Sequence, residues 1–138
     1  MLRIALYQPE IPQNTGTLLR LGACLNVAID IIEPCGFIWD SKKLKRSGMD
    51  YIDIATMKRH LTYDHFVADC NKNNRRIILM DVGGDVKYGD ISFTPNDVIL
   101  MGRESNGVEP HIKQQVLSSG GIISKIDMIQ GRSLNMAI

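Results

Sequence analysis

No stretch of this chain is apolar for the ~18 residues that a helix needs to cross a bilayer. Its opening, MLRIALYQPEIP, is interrupted by Gln8 and Pro9 too early to serve as a signal peptide. A soluble, cytoplasmic protein with no membrane partner is expected. Cysteine is scarce: Cys24, Cys35 and Cys70 are odd in number and widely spaced, with no C-x-x-C pair. That pattern argues against a disulfide framework or a zinc site and reads as three packing residues. A dominant charge is lacking as well. The formal net charge is +1, so any attraction for nucleic acid has to come from local patches rather than from a global field.

Several familiar signatures are missing too. There is no G-x-x-x-x-G-K-[ST] phosphate loop, and PEIPQNTG stands where a dinucleotide fold would place G-x-G-x-x-G after its first strand. Glu33 sits where such a fold has its ribose-binding acid, but it stands alone. H-E-x-x-H, clustered His and Cys and paired carboxylates are absent, so no metal is expected. His60, His65 and His111 are scattered and read as surface or core-edge residues, and the G-x-S-x-G elbow of hydrolases is missing.

What is present is a chain of 138 residues, 44% hydrophobic and 22% charged, enough for one compact domain over residues 1–138. LRIALY (2–7), VAIDII (27–32), RRIILM (75–80), DVILM (97–101) and GIISKI (121–126) read as strands, and YIDIA alternates like a short one. Helices are expected at 14–26, with Asn14 or Thr15 as N-cap, at about 62–71, and over EPHIKQQVLSS with Pro110 in its first turn. VGGDVKYGD reads as a glycine-rich loop. Strands alternating with helices imply an α/β fold, a mainly parallel sheet with helices on both faces. Ligands of such sheets bind at the carboxyl ends of the strands. Here VGGD, GRESNG and IQGRS, each carrying glycine, follow three of them. Lys42, Lys43, Lys45 and Arg46 form a basic run, and Lys58-Arg59-His60 and Arg75-Arg76 form two smaller basic clusters.

NTGTLLR, GRESNGV and GRSLNMA, separated by about 80 and then about 20 residues, resemble the three signature motifs of the SpoU (TrmH-like) branch of the SPOUT RNA 2'-O-methyltransferases. The N-terminal third, from MLRIALYQPEIPQNTG to SKKLKRSGMDY, is similar to the small single-domain members that methylate the tRNA wobble nucleotide, cytidine or uridine. The resemblance implies a C-terminal trefoil knot, S-adenosyl-L-methionine as cofactor, tRNA as substrate and a homodimer as the active unit. It implies catalytic roles for Arg20 and Asn14, with Arg20 at the reacting 2'-hydroxyl. It further implies cofactor contacts from Met80, Gly102, Glu104, Ile126, Ser133, Leu134 and Asn135, with Gly107 completing G-x-E-x-x-G. Lys42, Lys43, Lys45 and Arg46 become the RNA-binding run.

This chain departs from the pattern in three places. Asp127 replaces the proline of I-P-M, and Arg103 and Asn106 stand where proline and arginine are frequent. The resemblance also places a further helix beyond Ile138, one that packs in the dimer interface. Two alternatives stand beside it: an RNA-binding module with weak or no turnover, favoured only if the Asp127 change or a short C-terminus disables the pocket, and a flavodoxin-like nucleotide-binding protein, which fits the β-α pattern but not the motifs. A ribose hydroxyl is protonated at neutral pH, and a free guanidinium titrates above about 12. Arg20 therefore reads as fixing an RNA phosphate and stabilising the developing alkoxide, with the proton going to that phosphate or to a transiently neutral Arg20.

Overall fold

The computed structural model describes residues 2–38 and 57–125. Among these, the strands are β1 (Arg3–Tyr7), β2 (Ala28–Ile32), β3 (Met57–His60), β4 (Ile77–Met80), β5 (Val86–Lys87), β6 (Val98–Met101) and β7 (Ile122–Lys125). The helices are α1 (Pro12–Leu25), α2 (Tyr63–Lys72) and α3 (Pro110–Ser118), with a 3-10 turn at Tyr88–Asp90. The strands form one sheet in the order β3-β2-β1-β6-β4-β7-β5, and every pairing is parallel. A flavodoxin-like sheet, with order 2-1-3-4-5, is a different arrangement.

A parallel sheet has to be covered on both faces, and side chains alternate between those faces along each strand. β1 shows both halves of the solution. Ala5 and Tyr7 join a cluster with Phe66 and Cys70 of α2 and Ile112 and Val116 of α3. Leu6 joins Leu18 and Leu19 of α1 with Ile29 and Ile31 of β2 in a second cluster, against which Ile4 and Met101 pack. Helices therefore lie on both faces, as the alternation of apolar runs implies. Cys70 packs in the first cluster, where burial pushes its thiol up to about 12. Cys35 is half-buried and Cys24 is exposed, so the packing reading fails at Cys24.

α1 begins at Pro12, two residues before the expected Asn14, with Ile11 as an N-cap that supplies no side-chain hydrogen bond. Proline suits the first helical turn because the amide it lacks has no partner there anyway. Asn14 and Thr15 are consequently inside the helix and buried. The helix ends on Asn26 in the left-handed region, φ 55, where asparagine is tolerated. β3 carries no apolar alternation, since only His60 of its four residues is buried, and it lies at the sheet edge. YIDIA and residues 126–138 at the C-terminal end fall outside the described residues.

His60 is not at the surface. It is buried, with Nε2 2.9 Å from Asp30 Oδ1, while the Arg3 guanidinium grips the same carboxylate at 2.7 and 2.9 Å. Burial alone raises the Asp30 pKa, but the hydrogen bonds from His60 and Arg3 outweigh it and hold the carboxyl below its ordinary value. The stabilisation is therefore present above about pH 4, where an unfolded aspartate is ionised, and is lost as pH falls through the lower folded value. Asp30→Asn, which leaves the Arg3 guanidinium without its counter-charge, is expected to cost about 3–5 kcal/mol in urea unfolding. The wild-type protein should lose stability below about pH 4, and the variant should lose it less steeply.

Candidate active site

β1 and β6 are hydrogen-bonded neighbours, from Arg3 opposite Val98 to Leu6 opposite Met101, yet the chain leaves them in opposite directions. β1 leads to α1 on one face and β6 leads to α3 on the other. Divergent connections from adjacent parallel strands open a crevice at their carboxyl ends, the usual place for a ligand. QPEIP borders this crevice on one side and GRESNGVE on the other. Gln8, the first residue after β1, is held at φ 44, a strained conformation for a residue with a side chain.

Glu104 supplies the cap that α1 lacks. Its carboxylate accepts from the Glu10 amide at 3.1 Å and the Ile11 amide at 2.6 Å, placing negative charge at the helix start, where the helix dipole favours it. The two loops are thus bonded directly to each other. Arg103 closes its own loop through paired backbone bonds with Gly107, both 3.0 Å. Its guanidinium lies 3.1 Å from a Glu109 oxygen and 5.4 Å from the centre of the Tyr7 ring. The Tyr7 hydroxyl donates to Glu109 at 2.5 Å. Burial, followed by that bond, pushes Tyr7 up to about 12, so it stays protonated as a donor. Arg103, standing in place of a proline, stiffens the turn by bonding rather than by a ring. Gly102 is required by contact: a Cβ there would lie 2.7 Å from Gly107 Cα.

The loop after β4 joins the same end. The Asp81 amide donates to Ser124 O at 2.8 Å, and Lys113 of α3 reaches the Asp81 carboxylate at 3.2 Å. Register aligns Leu6, Met101, Met80 and Ser124 in one row across β1, β6, β4 and β7. The Ser124 hydroxyl is fully buried and has no hydrogen-bond partner among the described residues. A buried polar orphan beside three carboxyl-end loops suits a site that receives a polar ligand.

Of the expected residues, the fold brings Asn14, Met80, Gly102 and Glu104 to this end of the sheet. Arg20 lies on the exposed side of α1, nine residues past Ile11 and so roughly 13 Å along the helix from the Glu104 cap. Ile126, Asp127, Ser133, Leu134 and Asn135 lie outside the described residues, as do Lys42, Lys43, Lys45 and Arg46. The other basic pairs are engaged within the protein. Lys58 bonds Asp69 at 2.8 Å, Arg59 pairs with Glu33, and Arg76 binds Asp97 at the amino end of the sheet, away from the crevice. A cleft of about 510 Å³ opens beside Glu33, Phe37 and Arg59, where the chain enters the segment holding the basic run. Among the described residues no group of His, Cys, Asp and Glu is arranged to hold a metal. Glu10 escaped the sequence reading, its only signal being an acid just ahead of a proline-started helix.

Residues 1–138 match the SpoU rRNA Methylase family, and the chain belongs to that family. The tRNA (cytidine(34)-2'-O)-methyltransferase of Beijerinckia indica is 42% identical over 135 residues, 98% of this chain and 82% of that protein. A solved structure described as giving insight into the 2-OH methylation of C/U34 on tRNA is 35% identical, with a TM-score of 0.87 over 99% of this chain and 87% of that one. An AdoMet-bound rRNA methyltransferase from Sinorhizobium meliloti shares the fold at 22% identity, with a TM-score of 0.82 over 99% of this chain and 51% of its own. Gly102→Ala, by forcing a methyl group to within 2.7 Å of Gly107 Cα, is expected to lower the midpoint of thermal unfolding in calorimetry.

Proposed function

We propose that this protein transfers a methyl group from S-adenosyl-L-methionine to the ribose 2'-oxygen of nucleotide 34, cytidine or uridine, of tRNA. The observation that carries this reading is the meeting of GRESNG with the start of the NTGTLLR helix at the sheet's switch point, in a member of the SpoU family. The protein acts in the cytoplasm as a single domain over residues 1–138 that closes in a C-terminal trefoil knot.

S-adenosylmethionine supplies, when bound, a methyl group on a good leaving group, so the reaction needs positioning more than covalent help. Met80, Gly102 and Glu104, with Ile126, Ser133, Leu134 and Asn135, hold the cofactor, and the buried Ser124 hydroxyl offers one more polar contact. Lys42, Lys43, Lys45 and Arg46 hold RNA phosphates. Arg20 grips the phosphate next to the reacting ribose and stabilises the oxyanion as it forms, Asn14 serves the same end, and the hydroxyl proton passes to that phosphate.

The position of Arg20 supports a homodimer. α1 runs back along the sheet, and a Cβ on Gly22 would lie 2.9 Å from Ile29 near the start of β2, so Arg20 is carried away from the Gly102 loop of its own copy. Leu21 and Leu25 of the same helix are 43% and 63% exposed, an apolar surface suited to burial against a second copy. Each site then combines the cofactor loops of one protomer with Arg20 of its partner.

Labelled methyl transfer to bulk tRNA, followed by nuclease digestion and mass spectrometry, is expected to place the product at nucleotide 34. Transfer elsewhere, or none, overturns the reading. Arg20→Lys keeps charge but loses the planar fork, and is expected to be nearly as inactive as Arg20→Ala. Mixed dimers of Arg20→Ala with Gly102→Ala are expected to regain activity, because one of their two sites pairs an intact loop with an intact Arg20. Failure to regain it would place Arg20 in its own copy's site.

A further inference from the structure

Three carboxyl-end loops converge on Glu10. Its carboxylate accepts from the Ser105 amide at 2.9 Å and from the Ser105 hydroxyl at 2.8 and 3.0 Å. Its own amide donates back to Glu104, the residue before Ser105, at 3.1 Å. Behind it, Gly36 of the loop after β2 comes so close that a Cβ there would stand 3.1 Å from Glu10 Cα, and the Gly36 amide donates to Pro9 O at 2.9 Å. Two consecutive residues of one loop and two of the other thus exchange carboxylate-to-amide bonds in opposite directions.

This exchange does little for the core. Glu10 and Glu104 are half-buried, Ser105 is exposed, and no apolar cluster includes any of them. What it fixes is the relation between two segments that the topology sends to opposite faces. One is the loop of Gly102 and Glu104; the other is the start of the helix that carries Asn14 and Arg20. The contact is charge-assisted on both sides and multidentate, so it resists both sliding and rotation of the loops.

We propose that Glu10 is a positioning residue for methyl transfer: with Ser105 and Glu104 it clasps the cofactor-side loop to the start of α1, so that the loop of one site and the helix that carries Arg20 toward the other site are held as one rigid unit. This inference rests on the function proposed above. Glu10 touches neither substrate nor cofactor in this role. Its effect falls on the rate of the bound complex rather than on the assembly of that complex.

The test uses the full-length protein and four variants, Glu10→Ala, Glu10→Gln, Ser105→Ala and the Glu10→Ala/Ser105→Ala pair. Single-turnover methyl transfer is measured at saturating tRNA and S-adenosylmethionine, beside KM for tRNA and thermal unfolding. Glu10→Ala is expected to slow the saturated rate by about tenfold to a hundredfold, the scale of a small misplacement of reacting groups, with KM for tRNA changed less than about threefold. Glu10→Gln, which keeps an oxygen for the Ser105 amide, should recover most of that loss. Because Glu10 and Ser105 act through one contact, the double variant should be no slower than Glu10→Ala alone. A normal saturated rate in Glu10→Ala overturns the proposal, as does a loss confined to KM or a double variant whose losses multiply. If Glu10→Ala does not fold, Glu10→Asp, whose shorter side chain cannot span to Ser105 in the same loop geometry, takes its place: a slowed saturated rate with KM for tRNA little changed supports the clasp, and a normal saturated rate overturns it. A wild-type protein that leaves tRNA unmethylated overturns the proposed function, and the clasp's role with it. An active wild type with unaffected variants overturns the clasp alone.

Discussion

The pairing of β1 with β6 is the constraint on which the rest of the molecule depends. The chain first builds β2 and β3 outward on one side of β1, and then crosses to lay down β4 before β6 fills the place between. Because β6 runs parallel to β1 and leads to a helix on the opposite face, the loops that follow them must part at their shared end. The crevice is therefore a consequence of strand order. Met101 and Met80 are aligned with Leu6 and Ser124 by backbone register alone, before any side chain is chosen for chemistry.

Carboxylates then join what the topology separates. The helix that begins at Pro12 has no cap of its own, and Glu104, more than ninety residues away in sequence, provides one. Glu109 does similar work by holding Tyr7 and Arg103 together, and its carboxyl is kept below its ordinary value by the Tyr7 hydrogen bond. At the far side of the sheet, Asp30 gathers Arg3 and His60 in the core. Acids that a sequence reader takes for turn residues or solvated charge thus organise the structure. Near neutrality of the whole chain is compatible with this, since the acids are spent on internal partners.

Legibility of the fold followed periodicity. RIALY, AIDII, IILM and VILM carry enough apolar character to declare themselves as strands buried on both faces. MKRH does not, since as an edge strand it buries only His60, and its pairing with β2 depends on backbone bonds that composition leaves silent. The start of α1 was misplaced for a related reason. Local rules favour Asn14 or Thr15 as a cap, but the distant Glu104 carboxylate accepts from the Glu10 and Ile11 amides, and the helix opens at Pro12. His60 reads from sequence as a surface or core-edge histidine because nothing nearby in the chain announces Asp30.

The sequence by itself determined the alternation of strands and helices, the glycine-bearing loops and the three ordered motifs, because these are local or nearly local properties of side-chain type and spacing. Only the tertiary structure decided that Glu104 caps the NTG helix, that Glu10 answers it through Ser105, and that Arg76 is tied to Asp97 at the opposite end. The physical reason is the same in each case. A carboxylate or guanidinium has a fixed charge, but its partner is chosen by strand order and register, which bring together residues far apart in the chain.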